Sequence, residues 1–346
     1  MRLVLGFTAF SAICLSGAAS AEGIHKPIVD LVERNDAVIA AVAATGEGAP
    51  AIELEIAGFP AATPEAPLID LGSITKVVTA VAVLTLVDGG QLGLDTTLAE
   101  LMPDVPRDKG GITVHQLLTH TSGLVDSTGD DGERIGRAAF VARLMATPLD
   151  RAPGAGYAYS NAGYSLLAAI IETVSGQSYD AYLQSALIEP HGLVPIGYQA
   201  AYAEDRSLRS GRQALTGFRR LPIDRASWGG AEPGWNLIGN GGAVTTADGF
   251  LAFWTAFYQG RLVSSDLVAL ALTPHADEGD GTSFYGYGLV VEDTPDHGRT
   301  YWHDGGNEIF SAEWRHLSQQ DAAYFVAALR NEAFDRMGEV MAAVAQ

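Results

Sequence analysis

The sequence predicts an α/β (α+β) protein, a split α/β lobe interrupted by an all-helical insert. Three observations carry that expectation. Alternating or continuous apolar runs of strand length stand near both ends of the chain. Long apolar stretches of helical character fill the middle. The 346 residues, 47% hydrophobic and 18% charged, suffice for a large buried core.

The elements follow in order. Residues 25–34 read as a helix. Ala37–Ala43 and Ile52–Ala57 read as strands; the second alternates Ile52, Leu54 and Ile56 with Glu53 and Glu55, so one face is wet. From Ser73 a long apolar helix runs to the Asp88-Gly89-Gly90 stop. Thr113 caps a short helix to Leu118, and 136–146, 161–174 and 247–259 are further helical stretches, the last capped by Thr246. Strands return at Phe284–Val291, Arg299–Trp302, Glu308–Arg315 and Ala322–Leu329, and a helix over 332–345 closes the chain. The stretch 201–242 reads as irregular and arginine-rich, either a functional lid or a solvated insertion. The expected division is 22–90 with 243–346 as the α/β lobe and 91–242 as the mainly helical lobe, with a cleft between them.

Composition narrows the function classes. Acids outnumber bases 41 to 21, for a net charge of −20, which disfavours nucleic acid and anionic lipid as partners. Met1 and Arg2, the apolar run Leu3–Leu15 and Ala19-Ser20-Ala21 form the pattern of a signal peptide cut after Ala21, so an exported, periplasmic or secreted protein is expected. The single cysteine, Cys14, would leave with it, so no disulfide or thiolate zinc site is expected. No later segment is long and apolar enough to span a membrane.

Three short patterns carry chemistry. Ser73 and Lys76 stand three apart at a helix start, so Oγ and Nζ share a face near the positive end of the helix dipole. A lysine of lowered pKa can activate a serine, although a capping serine followed by an exposed lysine gives the same letters. Tyr159-Ser160-Asn161 offers a phenol and an amide at a turn entering a helix; a packing tyrosine and an N-cap pair would look alike. His303-Asp304-Gly305-Gly306 ends one strand and precedes another, where glycines permit close approach and N–H groups can face an oxyanion; a hairpin turn is the plainer alternative. His115 and His120 lack the spacing of a zinc pair and read as structural. No serine stands in a G-x-S-x-G frame. Trp228, Trp235 and Tyr287 are candidate cleft walls, with core packing equally compatible; Trp254 reads as core.

Taken together and in this order, the three patterns resemble the β-lactamase-related serine hydrolases: class C β-lactamases, DD-carboxypeptidases, D-aminopeptidases and esterases of the penicillin-recognising fold. Ile112–Leu124, Pro153-Gly154, Tyr159–Tyr164, Ile171–Gly176 and Gly239–Gly242 are similar to that family as well. The resemblance implies a β-lactamase/transpeptidase-like fold, an antiparallel sheet flanked by helices. It also implies an acyl-enzyme on Ser73, with Lys76 and Tyr159 sharing the proton work and the choice of base left open. Asn161, His303 and Gly305 would bind substrate, and the N–H groups of Ser73 and Gly306 would form the oxyanion hole. No metal or organic cofactor is implied. The substrate would be a small molecule or peptide: an ester, a D-amino-acid amide or a cell-wall peptide. His303 departs from the lysine of class C β-lactamases and would be mostly neutral at neutral pH, which favours peptidase or esterase chemistry. A β-lactamase proper and a non-catalytic binder of cell-wall peptides are the alternatives.

Overall fold

A computed structural model of the chain describes residues 68–198, 233–295, 297–306 and 311–328, together with the backbones of strands at 37–44, 52–56, 213–216 and 219–222. The expected signal peptide, the helices at 25–34 and 332–345, and most of 201–232 lie outside the described residues.

The strands are β1 Ala37–Ala44, β2 Ile52–Ile56, β3 Leu68–Asp70, β4 Gln213–Thr216, β5 Arg219–Pro222, β6 Val244–Thr245, β7 Ala276–Asp277, β8 Ser283–Tyr285, β9 Val290–Thr294, β10 Gly298–Gly306, β11 Ser311–Leu317 and β12 Ala322–Ala328. The helices are α1 Thr75–Asp88, α2 Leu98–Leu101, α3 Val114–Leu118, α4 Arg137–Ala146, α5 Asn161–Ser175, α6 Tyr179–Tyr182, α7 Ala247–Tyr258 and α8 Ser265–Ala271. Eight strands form one sheet in the order β2-β1-β12-β11-β10-β9-β8-β7. Every pairing in it is antiparallel, so the two ends of the chain meet at β1 and β12. A smaller sheet, β5-β4-β3-β6, contains one parallel pair, β3 with β4. The expected antiparallel sheet flanked by helices is therefore observed.

Burial explains the layering. In α1 every residue from Thr75 to Leu84 is buried. A helix apolar on all sides cannot face water and becomes the central one. The helix α7 lies on the large sheet through Trp254 and Phe250. The Trp254 ring centroid is 4.2 Å from that of Trp314 on β11, and Phe250 stands 5.6 Å from Phe325 on β12. Trp254 is thus core. Thr113 caps α3 in a reciprocal capping box: its Oγ1 accepts the Gln116 N–H at 3.2 Å, and Gln116 Oε1 accepts the Thr113 N–H at 3.1 Å.

Three expectations change. The run Phe284–Val291 is not one strand; Gly286-Tyr287-Gly288 breaks it into β8 and β9. Gly288 has φ +78 and lies so close to α1 that a Cβ would sit 2.6 Å from the Lys76 carbonyl oxygen. Contact with the central helix overrides the strand pattern there. The helix expected from Ser73 begins as a 3-10 turn, Gly72–Ile74, before α1. Within 201–242, β4 and β5 are ordered strands, so that stretch is not wholly irregular. Among the described residues no helix is long and apolar enough to cross a membrane.

Candidate active site

Ser73 is placed by the chain leaving β3. The Asp70 carboxylate accepts the Gly72 N–H at 2.8 Å, and Gly72 adopts φ +50. This left-handed step, open to glycine at little cost, swings the chain into the 3-10 turn that carries Ser73. Lys76 follows in the first turn of α1 and is completely buried. Its Nζ donates to Ser73 Oγ at 3.1 Å, to Asn161 Oδ1 at 2.7 Å and to the Asn240 carbonyl at 2.8 Å. Burial lowers its pKa to about 7, against the opposing pull of the Asp126, Asp131 and Asp304 carboxylates. The i,i+3 spacing thus yields a contact between a serine and a lysine poised between its two protonation states.

Tyr159-Ser160-Asn161 enters α5. Ser160 is the N-cap: its Oγ accepts the Gly163 N–H at 2.9 Å and donates to the Val125 carbonyl at 2.7 Å. His120 brackets the same segment. Its carbonyl accepts the Ala158 N–H at 2.8 Å, and its Nδ1 accepts the Ser160 N–H at 3.0 Å. His120 is buried in a left-handed conformation, φ +56, with its ring centroid 4.5 Å from those of Tyr159 and Tyr285. Burial holds it well below its ordinary pKa, with Lys76 and His303 adding to the effect, so it is a neutral strut. Lys76 Nζ stands 4.7 Å from the Tyr159 ring centroid, and the Tyr159 phenol is hydrogen-bonded with the Ser73 side chain. Burial pushes that phenol far above the usual range, so it stays protonated at neutral pH. Replacing Ser160 with alanine removes the cap and leaves a buried N–H without its acceptor. A loss of about 1–2 kcal/mol is expected, read from the urea midpoint.

His303-Asp304-Gly305-Gly306 ends β10 and precedes β11, as expected, although the strand read as Arg299–Trp302 runs on to include it. His303 Nδ1 contacts the Asp304 carbonyl at 2.5 Å, and its Nε2 contacts the Tyr285 hydroxyl at 3.0 Å. A carbonyl only accepts, so Nδ1 carries the proton and Nε2 accepts from the phenol. Burial lowers this imidazole to about pKa 4, Lys76 adding to that and Asp304 opposing it. It is neutral at neutral pH. The Ser73 turn and the end of β10 touch backbone to backbone: a Cβ on Gly72 would sit 2.4 Å from Gly306 N, and one on Gly305 would sit 2.7 Å from Ser73 N.

Around these groups opens a cavity of about 500 Å³, lined by Ser73, Tyr157, Tyr159, Tyr285, Trp302 and the His303–Gly306 strand end, with Glu278 also on its wall. The structure brings Ser73, Lys76, Tyr159 and Asn161 together and sets His303, Gly305 and Gly306 on the same cavity. Asn161 is already engaged: Oδ1 faces Lys76 and Nδ2 donates to Asp126 at 2.9 Å. Trp235 packs against Phe140, and Tyr287 is buried against His115 and His275, so neither forms the wall. Trp228 lies outside the described residues. The actual wall residues Tyr157, Tyr285 and Trp302 carry no local signal. Glu278 sits in Asp277-Glu278-Gly279-Asp280, which reads as an acidic turn. Among the described residues no cluster of His, Cys, Asp and Glu could hold a metal ion.

The Beta-lactamase family model matches residues 29–344. Over 252 residues the chain is 28% identical to penicillin-binding protein 4* of Bacillus subtilis, covering 69% of this chain and 55% of that protein. It is 34% identical over 160 residues to esterase EstB of Burkholderia gladioli, covering 40% of this chain and 41% of the esterase. The chain thus spans about half the length of these curated relatives. The D-amino acid amidase of Ochrobactrum anthropi, solved with D-phenylalanine, superposes with a TM-score of 0.72 over 94% of this chain and 98% of its own. At 21% identity that likeness shows the fold alone. With a family match over nearly the whole sequence, and with the serine and lysine of the first motif in contact beside the cavity, the chain belongs to the Beta-lactamase family.

Proposed function

We propose that the chain is an exported serine hydrolase that opens amide or ester bonds through an acyl-enzyme on Ser73, in the manner of a DD-peptidase, D-aminopeptidase or esterase. The observation that carries this reading is the 3.1 Å contact of Ser73 Oγ with a buried lysine whose pKa is about 7. In its neutral form Lys76 gives its two N–H groups to Asn161 Oδ1 and the Asn240 carbonyl, so its lone pair faces Ser73. Lys76 then takes the Oγ proton as Oγ bonds to the substrate carbonyl carbon. Negative charge develops on the carbonyl oxygen, beside the N–H groups of Ser73 and Gly306. The protonated Tyr159 phenol gives its proton to the departing amine or alcohol as that bond breaks, and the proton held by Lys76 restores the phenol. Water then adds to the acyl ester, yielding the acid and free Ser73. The exported location rests on the pattern at residues 1–21.

The test is a fluorophosphonate probe followed by intact mass. Wild type is expected to gain one adduct and Ser73→Ala none. A wild type that stays unlabelled while a control hydrolase reacts would favour the non-catalytic binder. A neutral, fully engaged His303 offers no fixed positive charge at the third motif for the carboxylate of a β-lactam. Turnover of a chromogenic cephalosporin is accordingly expected below about 10⁵ M⁻¹s⁻¹ in kcat/KM, the lower range of ordinary enzymes. Aryl esters or D-amino-acid amides should be the better substrates in a side-by-side panel.

A further inference from the structure

We propose that Asp126 is a positioning residue of this site, locking the Asn161 amide in the one orientation that turns Oδ1 to Lys76 and so aiming the lysine at Ser73. The inference rests on the Ser73 acyl-enzyme reading above. Asp126 lies on the loop after α3 and meets the start of α5 three times. Its carboxylate accepts the Asn161 backbone N–H at 3.2 Å and the Asn161 Nδ2 at 2.9 Å, and its own carbonyl accepts the Ala162 N–H at 2.8 Å.

The orientation of the amide then follows from chemistry. A carboxylate only accepts hydrogen bonds and an ammonium only donates them. Asn161 stands between the two, so Nδ2 must face Asp126 and Oδ1 must face Lys76. The reversed amide would set oxygen against carboxylate and N–H against N–H. Of the three groups around Nζ, the Asn240 carbonyl is backbone and Ser73 Oγ is the group to be activated. The Asn161 amide is the one that a simple flip would spoil. Asp126 removes that freedom from a residue 85 positions away from Lys76 in sequence.

Asp126 also adds negative charge near Lys76. The other groups facing the ammonium are Asp131 from the same loop region, Asp304 of β10, the neutral His120 and His303 rings, and the Tyr159 and Tyr164 phenols. Removing one carboxylate leaves the ammonium less favoured, so the neutral amine is reached at lower pH.

The experiment measures the rate of Ser73 phosphonylation by a fluorophosphonate from pH 5 to 9 for wild type, Asp126→Leu and Asp126→Asn, with thermal melting to establish that each is folded. Asp126→Leu is expected to slow the maximal labelling rate about ten- to a hundredfold, as a misaimed reactive group does, with the concentration dependence on probe little changed. Asp126→Asn keeps an acceptor oxygen for Nδ2. It is expected to recover most of the rate while its acid limb moves to lower pH. A folded Asp126→Leu that labels like wild type, or an Asp126→Asn as slow as the leucine variant, would overturn the proposal. A wild type that takes no adduct overturns the acyl-enzyme reading instead.

Discussion

With Lys76 replaced by methionine, turnover and Ser73 labelling are expected to fall about 10³-fold, the middle of the range for loss of a positioned base. Methionine keeps an unbranched, apolar stem at a fully buried position, so the core of α1 stays filled. The amine is what disappears, and with it the acceptor for the Ser73 proton. KM should change far less than kcat, because Lys76 lies behind Ser73 rather than on the cavity wall. The pH profile separates this from a packing defect. In wild type the ammonium form predominates below about pH 7, the value to which burial lowers this lysine, and only the neutral amine can accept a proton. The rate should therefore rise about tenfold per pH unit up to that point and flatten above it. The methionine variant should lose this limb. If the Tyr159 phenolate were the base, the rise in wild type would continue far above neutrality, since burial holds that phenol well above its ordinary pKa. A wild-type profile with no inflection near 7 would count against Lys76.

How much of this is legible without coordinates depends on how local each interaction is. The Ser73–Lys76 contact is a property of one helical turn, so spacing allows it; the company of the Tyr159 and His303 patterns is what sets it apart from a capping serine and an exposed lysine. The Thr113 and Thr246 caps are local for the same reason; both side chains accept the N–H three residues on. The strands of the large sheet are legible in outline because they alternate or run apolar, whereas their antiparallel pairing is implied only by the family resemblance, and the break at Gly286-Tyr287-Gly288 is not legible at all. There the deciding contact is with the Lys76 carbonyl, some 200 residues earlier in the chain. His120 shows the limit most plainly. Its spacing suggests a structural histidine, which it is, yet nothing nearby in sequence reveals that its ring and carbonyl bracket the Tyr159 segment. Asp126 gives no signal at all: a single exposed aspartate after Gly123-Leu124-Val125 has no pattern, and its meaning comes from the amide it faces. The ordinary pKa of histidine already makes His303 mostly neutral; burial against Tyr285 takes it further, to about 4.

Adding one methyl group at Gly305 is expected to cost kcat about 10²-fold or more, the scale of losing one oxyanion donor. The reason is steric. An alanine Cβ there would sit 2.2 Å from the Leu71 carbonyl oxygen and 2.7 Å from Ser73 N, distances no real Cβ tolerates. The same seam seen from the other side is equally tight, with a Gly72 Cβ 2.4 Å from Gly306 N and 2.8 Å from the Gly305 carbonyl carbon. Neither neighbour is the end of a flexible side chain that could swing away; all are backbone. Relief therefore requires the Ser73 turn and β10 to separate, and that motion pulls apart the Ser73 and Gly306 N–H groups proposed to share the oxyanion. Gly90 supplies the control. It has a left-handed φ of +68 but nothing within 4 Å of an added methyl, so Gly90→Ala tests backbone strain without close approach. That variant should lose about 1 kcal/mol of stability and no activity. Gly305 does not adopt a left-handed φ, so its defect should be the reverse, with activity falling further than the urea midpoint alone predicts. A Gly305→Ala protein with wild-type kcat would mean that turn and strand can part without consequence, and the oxyanion site would then have to be sought away from the Ser73 and Gly306 amides.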